Sequence, residues 1–208
     1  MKPKILYYSG WLVTRLISKP VFRMRIRGTE HVPKTGGFIL ACNHRSYYDP
    51  LLIGSWSPRQ MYFFAKQELF RSRLFGEIIT RTNAIPVRRG RVDRHALSRA
   101  VDIIQQGYGL LVFPEGTRSK QGGFLPPRAG VGMIATQAGC PIVPAYLHGS
   151  NCLKDCLLGR ERLSLTFGAM IPADEVEKVP KSKEGYEKLA AEVMARIRSL
   201  ADDATTDQ

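Results

Sequence analysis

A chain of 208 residues is long enough for one domain with a buried core, and 44% apolar with 24% charged content excludes disorder, a collagen-like chain and a polytopic membrane protein. Its 31 Lys and Arg against 18 Asp and Glu give a formal net charge of +13. Such an excess points to a polyanionic partner: nucleic acid, an anionic bilayer, a phosphate-bearing substrate or an acidic carrier.

The first element is an apolar stretch from Ile5 to Ser18. Arg15 and Lys19 interrupt it short of the ~20 apolar residues a membrane span needs, and no signal-type cleavage site precedes the basic run Arg23, Arg25, Arg27. Wound as a helix, it places Ile5, Leu6, Tyr8, Leu12, Val13, Leu16 and Ile17 on one half, and Lys4, Trp11, Thr14 and Arg15 on the other. An apolar half-face with cationic flanks suits an anionic membrane surface better than nucleic acid. Residues 1–20 are therefore read as an amphipathic membrane-associating segment.

Beyond Gly28, short apolar runs alternate with helical periodicity. Strands are predicted at Gly37 to Cys42, Met61 to Ala65, Ala84 to Val87, Leu110 to Phe113, Ile142 to Leu147 and Leu163 to Phe167. Helices are predicted at Pro50 to Trp56, Gln67 to Ile79, Val92 to Gln106, Val131 to Ala138 and Glu184 to Leu200. This alternation implies a single α/β layered domain over residues 21–200, with a largely buried, mixed or parallel sheet flanked by helices. Residues 201–208 read as a polar tail that frays. The cysteines Cys42, Cys140, Cys152 and Cys156 lack zinc-ribbon spacing and are expected to be free thiols.

Chemistry concentrates at strand ends. Asn43-His44-Arg45-Ser46-Tyr47-Tyr48-Asp49-Pro50 follows the first core strand, where an α/β sheet presents side chains to a crevice. Pro50 suits the first helical position, which puts Asp49 where an N-cap belongs. If the loop turns back, the Asp49 carboxylate can hold one imidazole nitrogen of His44 and leave the other as a base. No protein nucleophile accompanies the pair, so the substrate must supply its own, such as a hydroxyl. Phe113-Pro114-Glu115-Gly116-Thr117-Arg118-Ser119 follows another strand; Gly116 admits close backbone approach and Arg118 can fork onto phosphate oxygens. Ile85-Pro86-Val87-Arg88-Arg89-Gly90 offers further guanidinium groups, of which either Arg88 or Arg89 could meet a phosphate. Cys140-Pro141-Ile142-Val143-Pro144-Ala145-Tyr146 reads as a core strand.

Together these four segments resemble the 1-acyl-sn-glycerol-3-phosphate acyltransferase (lysophosphatidic acid acyltransferase) family of the glycerolipid acyltransferases. Asn43-His44 to Asp49 matches its N-H-x4-D block and Phe113 to Ser119 its F-P-E-G-T-R-S block, while Ile85 to Arg88 and Pro141 to Pro144 resemble the second and fourth. The resemblance implies that His44 is the base and Asp49 its orienting partner, with Glu115, Gly116, Thr117, Arg118 and Arg88 binding the acceptor. It also implies an acyl-CoA or acyl-carrier-protein thioester as co-substrate, no metal or prosthetic group, and a lysophospholipid acceptor. Acceptors in the wider superfamily extend to lyso-ornithine lipid and lysophosphoglycerides. Where such chains have Lys before a Gly after the third block, this one has Arg128-Ala129-Gly130. The expected setting is the cytoplasmic face of a membrane, peripheral or monotopic. The competing class, a basic peripheral protein without catalysis, would be expected to have lost His44 or Asp49. A nucleic-acid binder lacks any recognisable motif here.

Overall fold

The computed structural model of the chain describes residues 5–88, 93–119 and 122–206. Helix α1 (Ile5–Val21) leads through a turn at Arg23, whose φ is 48°, into strand β1 (Arg25–Arg27). The Arg-Ile-Arg triplet, expected only as a basic run, is an edge strand in which Ile26 alone is half-buried. There follow β2 (Phe38–Cys42), α2 (Asp49–Trp56), β3 (Met61–Lys66), α3 (Arg73–Arg81), β4 (Ala84–Val87) and α4 (Arg94–Gln105). Then come β5 (Gly109–Val112), α5 (Gly130–Ala138), β6 (Ile142–His148), α6 (Leu153–Leu157), β7 (Ser164–Phe167), α7 (Ala173–Glu177) and α8 (Lys183–Thr206).

The seven strands form one sheet in the order β1-β7-β6-β2-β5-β3-β4. All pairs are parallel except β6 with β7, so the sheet is mixed. Strand β2 is buried along its whole length, as expected for a central strand covered on both faces. Its alternate residues divide the core: Ile39 and Ala41 face α4, α5 and α8, whereas Phe38, Leu40 and Cys42 face Leu52 and Ile53 of α2.

The segment after β2 leaves on the α2 face, while the segment after the neighbouring β5 leaves on the α5 face. Two adjacent parallel strands whose connections part to opposite faces open a crevice at their carboxyl ends. That crevice receives the loops of His44 and Glu115.

Three expectations are revised. Gln67 to Ile79 is a 3-10 turn (Gln67–Arg71) followed by α3, because Ser72 takes extended dihedrals between them. The tail expected to fray continues α8 to Thr206, since Leu200, Ala201 and Ala204 still pack on the core. The helix expected from Val92 begins, within the described residues, at Arg94, with the Asp93 carboxylate accepting from Ala96 N at 3.1 Å as its cap. All four cysteines are free, and burial pushes the Cys140 thiol up to about 12.

Helix α1 lies across α2 with an unusual polarity. Its inward face is the polar half: Arg15 Nε donates to Ser55 O at 2.6 Å, and its guanidinium sits 3.5 Å from the Trp11 ring centroid and 4.7 Å from that of Trp56. Trp56 Nε1 donates to Ser18 Oγ at 2.9 Å. Leu12, Val13, Leu16 and Ile17 are exposed, Leu16 at 64%. Tyr8, of the same half, is exposed too, so these side chains turn away from the domain.

Helices α5 and α8 pack so closely that a Cβ on Gly132 would strike the Tyr186 carbonyl, whereas one on Gly54 of α2 would meet nothing within 4 Å. Gly132→Ala is expected to destabilise the fold by about 1–3 kcal/mol in urea unfolding. Gly54→Ala, by contrast, should be neutral or stabilise by about 0.5–1 kcal/mol through helix propensity.

Candidate active site

His44 sits just past β2, 7% exposed, with its ring stacked on Phe113 at 3.9 Å between centroids and 14° between planes. Its Nδ1 lies 2.8 Å from Asp49 Oδ2, so the five-residue spacing closes through a turn, as the sequence required. A carboxylate oxygen at Nδ1 places the proton there and leaves the Nε2 lone pair available. Among the described residues no side chain hydrogen-bonds to Nε2.

Asp49 is not the N-cap. It is the first residue of α2, preceded by Tyr48 at the cap position, and Pro50 follows it inside the first turn. Its Oδ2 reaches backwards, accepting also from Arg45 N at 2.7 Å and Ser46 N at 2.8 Å. The carboxylate thus organises the loop before the helix rather than the helix's own amides. Asp49 is fully buried, and Oδ1 has no hydrogen-bond partner among the described residues.

The backbone of His44 is held from both sides. Its N–H donates to Glu115 Oε1 at 3.0 Å, and its carbonyl accepts from Ser119 N at 2.8 Å. Glu115, expected to meet the acceptor, is 2% exposed, and its other oxygen accepts from Leu125 N at 2.9 Å. Both oxygens are therefore occupied by main-chain amides, which makes Glu115 a strut between the His44 loop and residues 122–128. The neighbouring Asn43 adds a clamp that sequence reasoning missed: its amide donates to Leu147 O at 2.9 Å and accepts from Leu147 N at 2.8 Å, continuing the β2–β6 ladder. An amide directly after a buried strand was the available signal. Phe113, the platform under the imidazole, was read only as part of a block.

The remaining expected residues line the approach. Gly116 has φ of 67°, and a Cβ there would meet the Arg128 side chain, so the guanidinium of Arg128 lies against this turn. Thr117 is exposed beside it. Arg118 stacks over Tyr47 at 3.4 Å from the ring centroid, three residues from His44. Arg88 stands at the end of β4, three strand spacings or about 14 Å from β2, and its Nε donates to Gln67 Oε1 at 2.7 Å. Its amide is held by Asp93, whose carboxyl the Arg88 and Ala96 amides keep below the usual range. Arg89 lies outside the described residues. His44, Asp49, Glu115 and Arg118 thus converge on one crevice, and Arg88 approaches it from the sheet edge.

Comparison with known proteins follows the same residues. A family model described as acyltransferase matches residues 23–148. The 1-acyl-sn-glycerol-3-phosphate acyltransferase of Bacillus subtilis is 26% identical over 178 residues, spanning 85% of this chain and 87% of its own. The protein of that name from Streptococcus pneumoniae is 29% identical over 199 residues, spanning 94% of this chain and 73% of its own. The crystal structure of the 1-acyl-sn-glycerophosphate acyltransferase PlsC from Thermotoga maritima superposes with a TM-score of 0.69 at 26% identity, covering 92% of this chain and 78% of that one.

The strut geometry gives Glu115→Gln a distinct signature. A carboxamide can accept only one of the two amides and turns its own N–H toward the other, a loss of about 1–3 kcal/mol. Turnover is expected to fall with the thermal midpoint while the acceptor KM stays within about twofold, since the strut anchors His44 rather than substrate. A selective rise in acceptor KM would instead mark Glu115 as an acceptor ligand.

Proposed function

The chain belongs to the acyltransferase family, that of the 1-acyl-sn-glycerol-3-phosphate acyltransferases, and is an O-acyltransferase; on that premise we propose that it acylates the free hydroxyl of 1-acyl-sn-glycerol 3-phosphate, forming phosphatidic acid, with acyl-CoA or acyl-carrier protein as donor. The observation that carries this reading is the buried His44–Asp49 pair, 2.8 Å apart, with no described side chain bonded to Nε2 and the Arg118 guanidinium stacked on Tyr47 of the same loop.

In this mechanism the acceptor hydroxyl donates to His44 Nε2. As its oxygen attacks the thioester carbonyl, the proton passes to the imidazole, and Asp49 stabilises the imidazolium. The tetrahedral oxyanion collapses, the C–S bond breaks, and the thiolate takes the proton back. Arg118, already planar on Tyr47, supplies a fork for the acceptor phosphate. Arg88 adds positive potential from the sheet edge, and no metal or prosthetic group takes part.

Helix α1 supports a membrane-surface setting for the reaction. Among the described residues no helix is long and apolar enough to cross a membrane. An outward half-face of Leu12, Val13, Leu16 and Ile17 gains about 25 cal/mol per Å² on leaving water, and a bilayer supplies the apolar phase that the domain does not. Tyr47, Tyr48 and Leu51, beside the His44 loop, are exposed as well, and α1 rests on the helix that begins there.

Two experiments test these claims. Incubating the purified protein in detergent with labelled acyl thioesters and a panel of lysolipids, with products resolved by mass, is expected to yield phosphatidic acid. In that assay His44→Ala should lose on the order of 10²–10⁴-fold in turnover at an unchanged thermal midpoint. Asp49→Asn keeps an acceptor for the three donors but not the charge, so it should fold and yet be severely impaired; near-normal transfer by folded His44→Ala rules out the mechanism. Leu12→Glu with Leu16→Glu should abolish flotation with vesicles while transfer in detergent persists. Undiminished flotation by the double variant excludes α1 as the membrane contact.

A further inference from the structure

A cleft of about 440 Å³ opens between the last turn of α1 and β1, lined by Lys19, Met24, Arg25, Ile26, Arg27 and Trp56. Its lining comprises three basic and three apolar residues, with no acidic residue among them. Met24 is buried and Trp56 is held in place through its bond to Ser18. Lys19, Arg25 and Arg27 are exposed.

The position of the cleft separates it from the active site. Strand β1 is three strands from β2, about 14 Å, on the opposite side from Arg118 and Arg88. Yet the pairings Cys42 with Ala145, His148 with Ser164 and Ser164 with Arg25 place Arg25 at the sheet level of the loop that carries His44. Lys19 also lies near the Leu12 and Leu16 positions on the wheel of α1, at the border of the outward apolar face. When that face enters a leaflet, the cleft meets its headgroup layer at the depth where the acceptor phosphate reaches His44.

We propose that this cleft is a headgroup site for an anionic phospholipid distinct from the acceptor being acylated, its phosphate held by Lys19, Arg25 and Arg27 and its glycerol end lying on Met24, Ile26 and Trp56. The proposal rests on the membrane reading of α1. A free phosphate would use only the basic residues, whereas a lipid phosphodiester also uses the apolar ones, and lipid is the occupant that this mixed lining favours.

The test compares flotation of the full chain with phosphatidylcholine vesicles and with vesicles that also contain phosphatidylglycerol. Lys19→Ala with Arg25→Ala should lose about tenfold in affinity for the anionic vesicles, and Lys19→Arg with Arg25→Lys should restore it. Lys181→Ala with Lys188→Ala removes the same charge from α8 and the turn before it, and should lose less than about twofold. In parallel, dihexanoylphosphatidylglycerol should shift tryptophan fluorescence saturably in the wild type and not in the Lys19/Arg25 double alanine variant, while inorganic phosphate should not. An equal loss by the two alanine pairs, or an equal response to inorganic phosphate, overturns the site. Wild-type binding that is equal for neutral and anionic vesicles also overturns it while leaving α1 as the membrane contact, and failure to bind any vesicle overturns both. Acyl transfer in detergent, measured alongside, reports separately on the enzymatic reading.

Discussion

A single carboxylate oxygen governs the geometry of this protein's chemistry. Asp49 Oδ2 accepts from the imidazole Nδ1 of His44 and from the amides of Arg45 and Ser46, so it both closes the loop into a ring and orients the His44 imidazole. Because Asp49 is buried, these hydrogen bonds form away from competing water and each carries more than its exposed counterpart would. Loss of the carboxylate would release two buried main-chain donors as well as the histidine.

The second carboxylate of the site carries that order outward. Glu115 joins the His44 amide to Leu125, and Ser119 returns a bond to the His44 carbonyl, so the loops after β2 and β5 brace one another across the crevice that the sheet topology opens. Both oxygens of Glu115 are taken up by main-chain amides, while the guanidinium groups of Arg118 and Arg128 lie against Tyr47 and the Gly116 turn. The arrangement separates buried acidic groups, which brace the loops, from the basic side chains beside them.

Helix α1 obeys a different constraint. In water an amphipathic helix packs its apolar face on the domain. Here cation–π and hydrogen-bond contacts from Arg15, Trp11 and Ser18 secure the polar face, and burial lowers the pKa of the Arg15 guanidinium. Such an inversion forgoes apolar burial within the chain and is favourable where a second apolar phase supplies it, which is why the helix and the surface charge belong to one account.

Much of this was legible in the chain itself. Period-two and unbroken apolar runs located six strands, the N-H-x4-D and F-P-E-G-T-R-S blocks located the crevice, and the wheel of residues 5–18 separated the half-faces of α1, because each is a local pattern that neighbouring residues express together. Less visible were contacts made across the fold. Whether Asp49 capped α2 or reached back to His44 depended on the loop's turn, and Glu115 became a strut because β5 lies beside β2 in the sheet although 71 residues separate it from His44. The three-residue strand β1 gave almost no pattern, since one half-buried side chain, Ile26, carries no period. The direction of α1's apolar face was likewise a tertiary decision: periodicity defines two faces of a helix, but only the surface packed against it selects which one turns inward.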